Sequence, residues 1–258
     1  MKIAVAGATG RVGRHIVEVL EERGHEPVPI SRSNGVDLIT AAGLADALAG
    51  TDAVIDAATG PSPEQQAATE FFTTAARNIQ TAAAAAGARR VVTVSIIGCE
   101  RFVAGYSAAK CAHEQAALAG PVPAVILRAA QFHEFVEEFL NWGRQGEVAH
   151  VPEMRTQLVA ARTVAEALVD LATTPTPPAD GSPIPEIAGP REESLVEIAR
   201  LLVANQAENL RIEGVSDPDD PDHELYVSGG LLPSAHATLA GPTFAEWLET
   251  RTPAARTF

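Results

Sequence analysis

Lys2-Ile3-Ala4-Val5-Ala6-Gly7-Ala8-Thr9-Gly10-Arg11-Val12-Gly13 lies at the start of the chain and decides its fold. Its first five residues are a short, mostly apolar run. From Val12 to Arg23 apolar residues then recur at helical spacing until Gly24 stops them. The order is strand, tight turn, helix. At such a turn the chain reverses sharply and leaves backbone N–H groups at the positive end of the helix dipole, where an anion is favoured. Gly7 tolerates the reversal, Gly10 lets a pyrophosphate approach the backbone, and Gly13 permits close packing of helix on strand. A glycine turn alone also occurs for purely structural reasons. Its place directly after the first strand is what points to a dinucleotide, with Thr9, Arg11 and Val12 as further contacts.

The same rhythm continues outward. Glu26 to Ser31 reads as a strand, Thr40 as the cap of a helix ending at Gly50, and Ala53 to Ala57 as a buried strand. Ser62-Pro63-Glu64-Gln65 reads as a capping box opening an alanine-rich helix that Gly87 ends. Val91 to Ser95 is a strand, Tyr106 to Leu118 a helix stopped by Gly120, and Ala124 to Arg128 another strand. Apolar strands alternating with helices imply an α/β fold, a doubly wound parallel sheet of the Rossmann kind with right-handed crossovers.

From Phe132 the rhythm changes. Helices are expected near His133 to Trp142 and Thr163 to Ala172, with a proline-rich stretch from Thr174 to Pro185. Ser194 to Glu197 and Thr243 to Glu246 read as two further capping boxes. The expected division is a dinucleotide-binding core over residues 1–132 and a small C-terminal substrate lobe over 133–258. The run Asp217-Pro218-Asp219-Asp220-Pro221-Asp222 lacks the glycine and terminal glutamate of a calcium loop and reads as a solvated acidic loop.

Composition narrows the function. The 258 residues are 46% apolar and 20% charged, as in ordinary folded proteins, and the formal net charge is −14. Nucleic acid and anionic membranes are thereby disfavoured as partners, whereas an anionic cofactor held by backbone amides is not. Two cysteines, Cys99 and Cys111, give no disulfide framework or zinc pattern and read as reduced thiols. Arg89 and Arg90 interrupt the best candidate for a membrane span, and no signal-like segment precedes Gly7, so a cytoplasmic location is expected. The oligomeric state is open, a homo-oligomer included.

Two clusters carry chemistry. Where an NAD site would place an acid at the end of the second strand, this sequence has Ile30-Ser31-Arg32-Ser33. Arg32, assisted by Arg11, can pair with a 2′-phosphate, which favours NADP(H) over NAD(H); the plainer alternative is a solvent-exposed arginine. Tyr106 and Lys110 stand four residues apart and share a helix face, downstream of Ser95 at a strand's carboxyl end. An ammonium beside a phenol lowers the phenol's pKa toward neutrality, which would make Tyr106 a proton donor and Ser95 a holder of the substrate oxygen. Lys2 and Lys110 are the only lysines in a chain that otherwise uses arginine. His133 and Glu137, one turn apart, lack a third ligand at a recognisable spacing, so no metal site is expected.

With these residues in view, the sequence resembles the short-chain dehydrogenase/reductase superfamily, in detail its atypical, NmrA-like NAD(P)-binding branch. The resemblance rests on Gly7 to Gly13, Val36-Asp37-Leu38, Val94 to Gly98, Tyr106 to Lys110 and Ile126 to Phe132. Glu186 to Pro190 and Phe244 to Leu248 extend it over nearly the whole chain. It implies that Asp37 and Leu38, which follow the cofactor-binding candidates Arg32 and Ser33, lie beside the adenine, and that Ala57, Ala58 and Thr59 pass near the cofactor ribose. It implies too that Lys110 binds the nicotinamide ribose, that Ala130, Gln131 and Phe132 border the nicotinamide, and that Gln131, Phe132 and His133 join Ser95 and Tyr106 in a substrate pocket. The family's asparagine-rich stretch after the fourth strand is absent, and the interval from Ser95 to Tyr106 is shorter than in its classical branch. The expected activity is NADPH-dependent hydride transfer to or from a small carbonyl, enone or quinone-type substrate. A non-catalytic NADP(H) sensor of NmrA type is the alternative, and a nucleotide-sugar epimerase or dehydratase the third reading.

Overall fold

A computed structural model describes residues 1–175 and 181–251. The chain forms two compact units: Met1–Ala129 together with Ala161–Glu186, and Ala130–Ala160 together with the chain from Ile187 onward.

The first unit begins with β1 (Lys2–Ala6), α1 (Arg11–Glu22), β2 (Glu26–Ile30), α2 (Leu44–Leu48), β3 (Ala53–Asp56), α3 (Gln65–Ala86), β4 (Val91–Ile96), α4 (Gly105–Leu118) and β5 (Ala124–Ala129). The five strands lie in the order β5-β4-β3-β1-β2 and are all parallel. Ile3 to Ala6 and Ala53 to Asp56 are buried along their whole length, because strands covered on both faces cannot alternate apolar with polar. β1 pairs with β2 on one side and β3 on the other, so the connections diverge there. That divergence opens a crevice at the carboxyl ends of β1 and β3, where open parallel sheets bind ligands. Gly7 follows one strand and Ala57 the other.

The chain continues through α5 (Val136–Gly143), β6 (Arg144–Gln145), β7 (Val148–Pro152) and β8 (Arg155–Thr156) of the second unit, then returns to the first with α6 (Ala161–Thr173). The sequence assigns the helix near Thr163 to the substrate lobe; it belongs to the first unit. Val164, Leu168 and Val169 are fully buried there, and Arg162 pairs with Glu22 of α1. The second unit resumes within β9 (Glu186–Ala188), followed by β10 (Glu193–Ser194), α7 (Leu195–Asn205), β11 (Arg211–Val215), α8 (His223–Ser228), β12 (Thr238–Leu239) and α9 (Phe244–Thr250). Within it β7 pairs parallel with β11 and antiparallel with β6, and β9 pairs parallel with β12.

Of the expected helix starts, Thr243 forms its capping box with Glu246, and the others differ. α2 starts at Gly43, whose φ of 72° no β-carbon favours, and Thr40 stays in the preceding loop, accepting from the Ala42 N–H. Glu64, not Ser62, caps α3, its carboxylate accepting from the Ala67 N–H at 3.1 Å. Ser194 makes no side-chain cap bond, and Glu197 pairs with Arg200 instead. Part of the proline-rich stretch, residues 176–180, lies outside the described residues. Among the described residues, no helix is long and apolar enough to cross a membrane.

Candidate functional site

The glycine turn has the form its spacing predicts. Gly7 takes a φ of 74°, and a β-carbon on it would lie 2.7 Å from the Ala57 carbonyl oxygen. One on Gly13 would lie 2.0 Å from the Gly7 carbonyl oxygen, so α1 rests directly on the turn. The Gly10 N–H closes it onto the Gly7 carbonyl at 2.9 Å. Thr9 and Gly10 are exposed at its crest, while Val12 and Gly13 are buried behind it. No side chain caps α1 and its first turn carries no acid, so the dipole end is left for an external anion. These residues fit the pyrophosphate of a dinucleotide. Ala57 and Ala58 are buried against the turn, and Thr59 beyond them is exposed.

At the end of β2, Arg32 and Ser33 are exposed on a short 3₁₀ turn, where Ser31, Ser33 and Asn34 hydrogen-bond to one another. Asp37 uses its Oδ1 to accept from the Ile39 and Thr40 N–H groups at 2.7 and 2.9 Å. Those backbone bonds, with Arg32 nearby, hold its carboxyl below the ordinary range. The Asn78 amide donates to the Leu38 and Ile39 carbonyls and fixes this loop to α3.

Ser95, Tyr106 and Lys110 do not form the acid–base trio that the spacing suggests. Lys110 Nζ donates to the Val94 carbonyl at 2.7 Å and to His113 Nδ1 at 2.8 Å, and it lies 4.4 Å from the centroid of the Phe72 ring. Burial draws the Lys110 pKa down to about 8, against the pull of Asp56 and Glu114 toward the charged form. Tyr106 packs its ring edge-on to Phe72 at 5.6 Å, and desolvation pushes its phenol up to about 12. The expected lowering of the phenol by the ammonium is therefore corrected: Lys110 points at β4 and His113, and burial decides the phenol's state.

Ser95 is buried, and its hydroxyl lies 3.9 Å from Cys99 Sγ, whose thiol donates to Glu114 Oε1 at 3.2 Å. Glu114 is gripped by Arg128 through bonds of 2.9 and 2.8 Å. Burial pushes the Glu114 carboxyl up, but Arg128 and Ser95 outweigh it and hold the group below its usual range. Burial and the Glu114 charge push the Cys99 thiol up to about 12, so it is no nucleophile at neutral pH.

The second unit holds the remaining candidates. Ala130 is buried, Gln131 Oε1 accepts from the Thr156 hydroxyl at 2.8 Å, and Phe132 packs on Phe135. His133, expected at a pocket wall, is only 1% exposed; its Nε2–H donates to the Pro242 carbonyl, and Phe244 and Trp247 flank its ring. Burial draws its pKa down to about 4. Among the described residues no group of three or more histidine, cysteine or acidic side chains could hold a metal.

The sequence reading missed Asp56, His113, Glu114 and Arg128. Asp56 and His113 are each 1% exposed and bonded to one another, His113 Nε2 to Asp56 Oδ2, at 2.9 Å. The signal was present. His113 and Glu114 stand three and four residues after Lys110, on the face already read forward from Tyr106, and Asp56 ends an all-apolar strand where a carboxylate needs a partner.

The chain matches the family model described as NAD(P)H-binding over residues 7–175, a span holding the glycine turn, Ser95, Tyr106 and Lys110. Among solved structures, MoeE5 in complex with UDP-glucose and NAD is 20% identical, covers 97% of each chain and gives a TM-score of 0.70. UDP-N-acetylglucosamine 4-epimerase from Bacillus cereus is 19% identical, covering 96% of this chain and 94% of its own, with a TM-score of 0.69. A short-chain dehydrogenase/reductase superfamily protein from Agrobacterium tumefaciens with bound NAD is 18% identical, covering 96% and 95%, with a TM-score of 0.67. No curated protein matches the chain. The crevice at β1 and β3, the uncapped glycine turn and the span of the family match lead to one assignment: the chain belongs to the NAD(P)H-binding family, with the Rossmann-like fold of the atypical short-chain dehydrogenases/reductases.

Proposed function

We propose that the chain is an NAD(P)H-dependent reductase of a small carbonyl, enone or quinone-type substrate, with Tyr106 as proton donor. The observation that carries this reading is the Tyr106 phenol, kept un-ionised by desolvation in the first turn of α4, which follows the carboxyl end of β4. A bound reduced nicotinamide supplies hydride. The Gly7 to Gly13 amides bind the diphosphate, and the Ala57–Ala58 backbone abuts that turn. The Tyr106 hydroxyl donates its proton to the substrate oxygen as negative charge develops there. Where the product is the alkoxide of a simple carbonyl, a far stronger base than a phenolate, a phenol with a pKa of about 12 gives up its proton downhill.

The reverse reaction needs a base to take the alcohol proton. At pH 7 a phenol of pKa about 12 is ionised in only about one molecule in 10⁵, so alcohol oxidation is disfavoured kinetically. The test is loss of NADPH absorbance on a panel of quinones, ketones and enals, for the wild type and Tyr106→Phe.

Within this reading NADP(H) is preferred to NAD(H), because Arg32 is exposed after β2 where a 2′-phosphate would lie, with Ser33 beside it and Arg11 in the turn. We further assign Asp37 and Leu38 to the adenine side, Thr59 to the ribose side, and Ala130, Gln131 and Phe132 to the nicotinamide side. Arg32→Ala is expected to weaken NADPH binding about tenfold or more and to leave NADH unchanged, read as dissociation constants for both. Equal wild-type affinities would sink the preference.

One observation favours a second reading, an NADP(H)-responsive regulatory protein without turnover: the Lys110 ammonium is committed internally, to the Val94 carbonyl and His113. A partner captured with NADP⁺ but not with NADPH, together with no turnover on the panel, distinguishes it.

A further inference from the structure

Lys110, His113 and Asp56 form a hydrogen-bonded chain whose polarity is fixed by chemistry. An ammonium only donates, so His113 Nδ1 accepts from Lys110; the ring proton then sits on Nε2 and is donated to the Asp56 carboxylate. Burial lowers the histidine's pKa, as does the neighbouring ammonium, and the ring is neutral in this arrangement. Phe72 closes the chain from α3, stacked on His113 at 4.7 Å. The cluster holds one positive and one negative charge and is neutral overall.

Its far end touches the nucleotide turn. Asp56 Oδ1 accepts from the Ala58 N–H at 3.1 Å, and Ala57 and Ala58 are the backbone against which Gly7 leaves no room for a β-carbon. We propose that Asp56 and His113 are positioning residues for dinucleotide binding, holding Ala57–Ala58 against Gly7 in a cluster that is neutral only while Lys110 keeps its proton. Once that proton leaves, a buried carboxylate remains uncompensated behind the turn that takes the diphosphate, and like charge repels like. The groups facing Lys110 are Asp56 from β3, His113 and Glu114 from α4, and the Cys99 thiol; Glu114 is itself paired with Arg128 from β5, which also holds the more exposed Glu100 at 2.7 Å. Of these, Asp56 is the carboxylate left without a counter-charge, and the buried lysine is the group that titrates first on raising the pH.

The proposal rests on dinucleotide binding at Gly7 to Gly13 but not on turnover, so it is tested by binding alone. Dissociation constants for NADPH, read from nicotinamide fluorescence, are measured between about pH 6.5 and 9.5. For the wild type the constant is expected to rise about fivefold across the range, with its midpoint near pH 8. Lys110→Met is expected to bind with no such slope. His113→Gln keeps the polarity, its amide oxygen accepting from Lys110 and its amide N–H donating to Asp56, and should stay within about twofold of wild type. His113→Leu cuts the chain and should weaken binding about tenfold. Should Lys110→Met fail to fold, Lys110→Arg replaces it: a guanidinium keeps its charge throughout the range, so the Asp56 carboxylate stays compensated and no slope is expected. A flat wild-type profile, or a slope that survives the substitution of Lys110, overturns the proposal. A flat profile alongside normal carbonyl reduction overturns this inference alone, whereas a wild type that binds no NADPH overturns both readings.

Discussion

Replacing Tyr106 by phenylalanine is expected to lower turnover by about 10²–10⁴-fold while leaving the NADPH dissociation constant within about twofold. The asymmetry follows from what the substitution removes. The ring keeps its edge-on contact with Phe72, so the start of α4 stays packed, and the glycine turn is on another element. Only the hydroxyl is lost, and with it the proton that the reduced substrate oxygen needs. Steady-state rates on any substrate found in the panel, set beside a nucleotide titration of the same variant, make the comparison. Retained turnover would move the proton donor elsewhere and remove the reason for placing chemistry at α4.

Gly13→Ala should be as damaging at the other end of the account. Its β-carbon would sit 2.0 Å from the Gly7 carbonyl oxygen and 2.9 Å from Ala8 Cα, both of them backbone that no side-chain rotation can clear. Either α1 lifts from β1 or the turn opens. Both spoil the amide cradle, and we expect about 100-fold weaker NADPH binding and a stability loss of about 2–4 kcal/mol in chemical denaturation. Gly24→Ala is the control. Gly24 has a positive φ, 73°, which Gly13 does not, but no atom lies within 4 Å of the added carbon. It should cost only about 1 kcal/mol of backbone strain and leave binding unchanged. Equal losses of binding in the two variants would mean that the close approach at Gly13 is not what holds the turn in its binding form.

The fold was legible because its determinants are local. Ile3 to Ala6 and Ala53 to Ile55 are apolar without alternation, each is followed by a turn signal and a helix, and buried parallel strands leave few other readings. The glycine turn was legible for the same reason, since its three glycines lie within seven residues. Helix caps were read less well. Thr40 and Ser62 have the right residue types, but Gly43 and Glu64 stand nearer to where α2 and α3 begin.

The acid–base cluster was legible in part. Spacing on α4 correctly puts Tyr106 and Lys110 on one helix, yet it is silent on what faces them from other elements. The direction of the Lys110 ammonium was decided by Asp56, 54 positions upstream, acting through His113, and the Glu114 carboxylate on the same helix is held by Arg128 of β5. Such pairings are tertiary. A buried charge obliges a partner somewhere, but only the folded chain says which. The division at residue 132 differs from the compact units for a related reason: α6 has the amphipathic pattern of any surface helix, and its packing in the first unit is not written in its own residues.

The central claim is that burial, not a neighbouring ammonium, sets the state of the Tyr106 phenol. The chain has two tyrosines, so Tyr226→Phe leaves Tyr106 as the sole source of a phenolate signal in ultraviolet difference titration. A phenol pushed up to about 12 should show no phenolate while the protein stays native up to about pH 10. Half-ionisation near about pH 8 would contradict the account, because it would mean that Lys110 turns to the phenol after all.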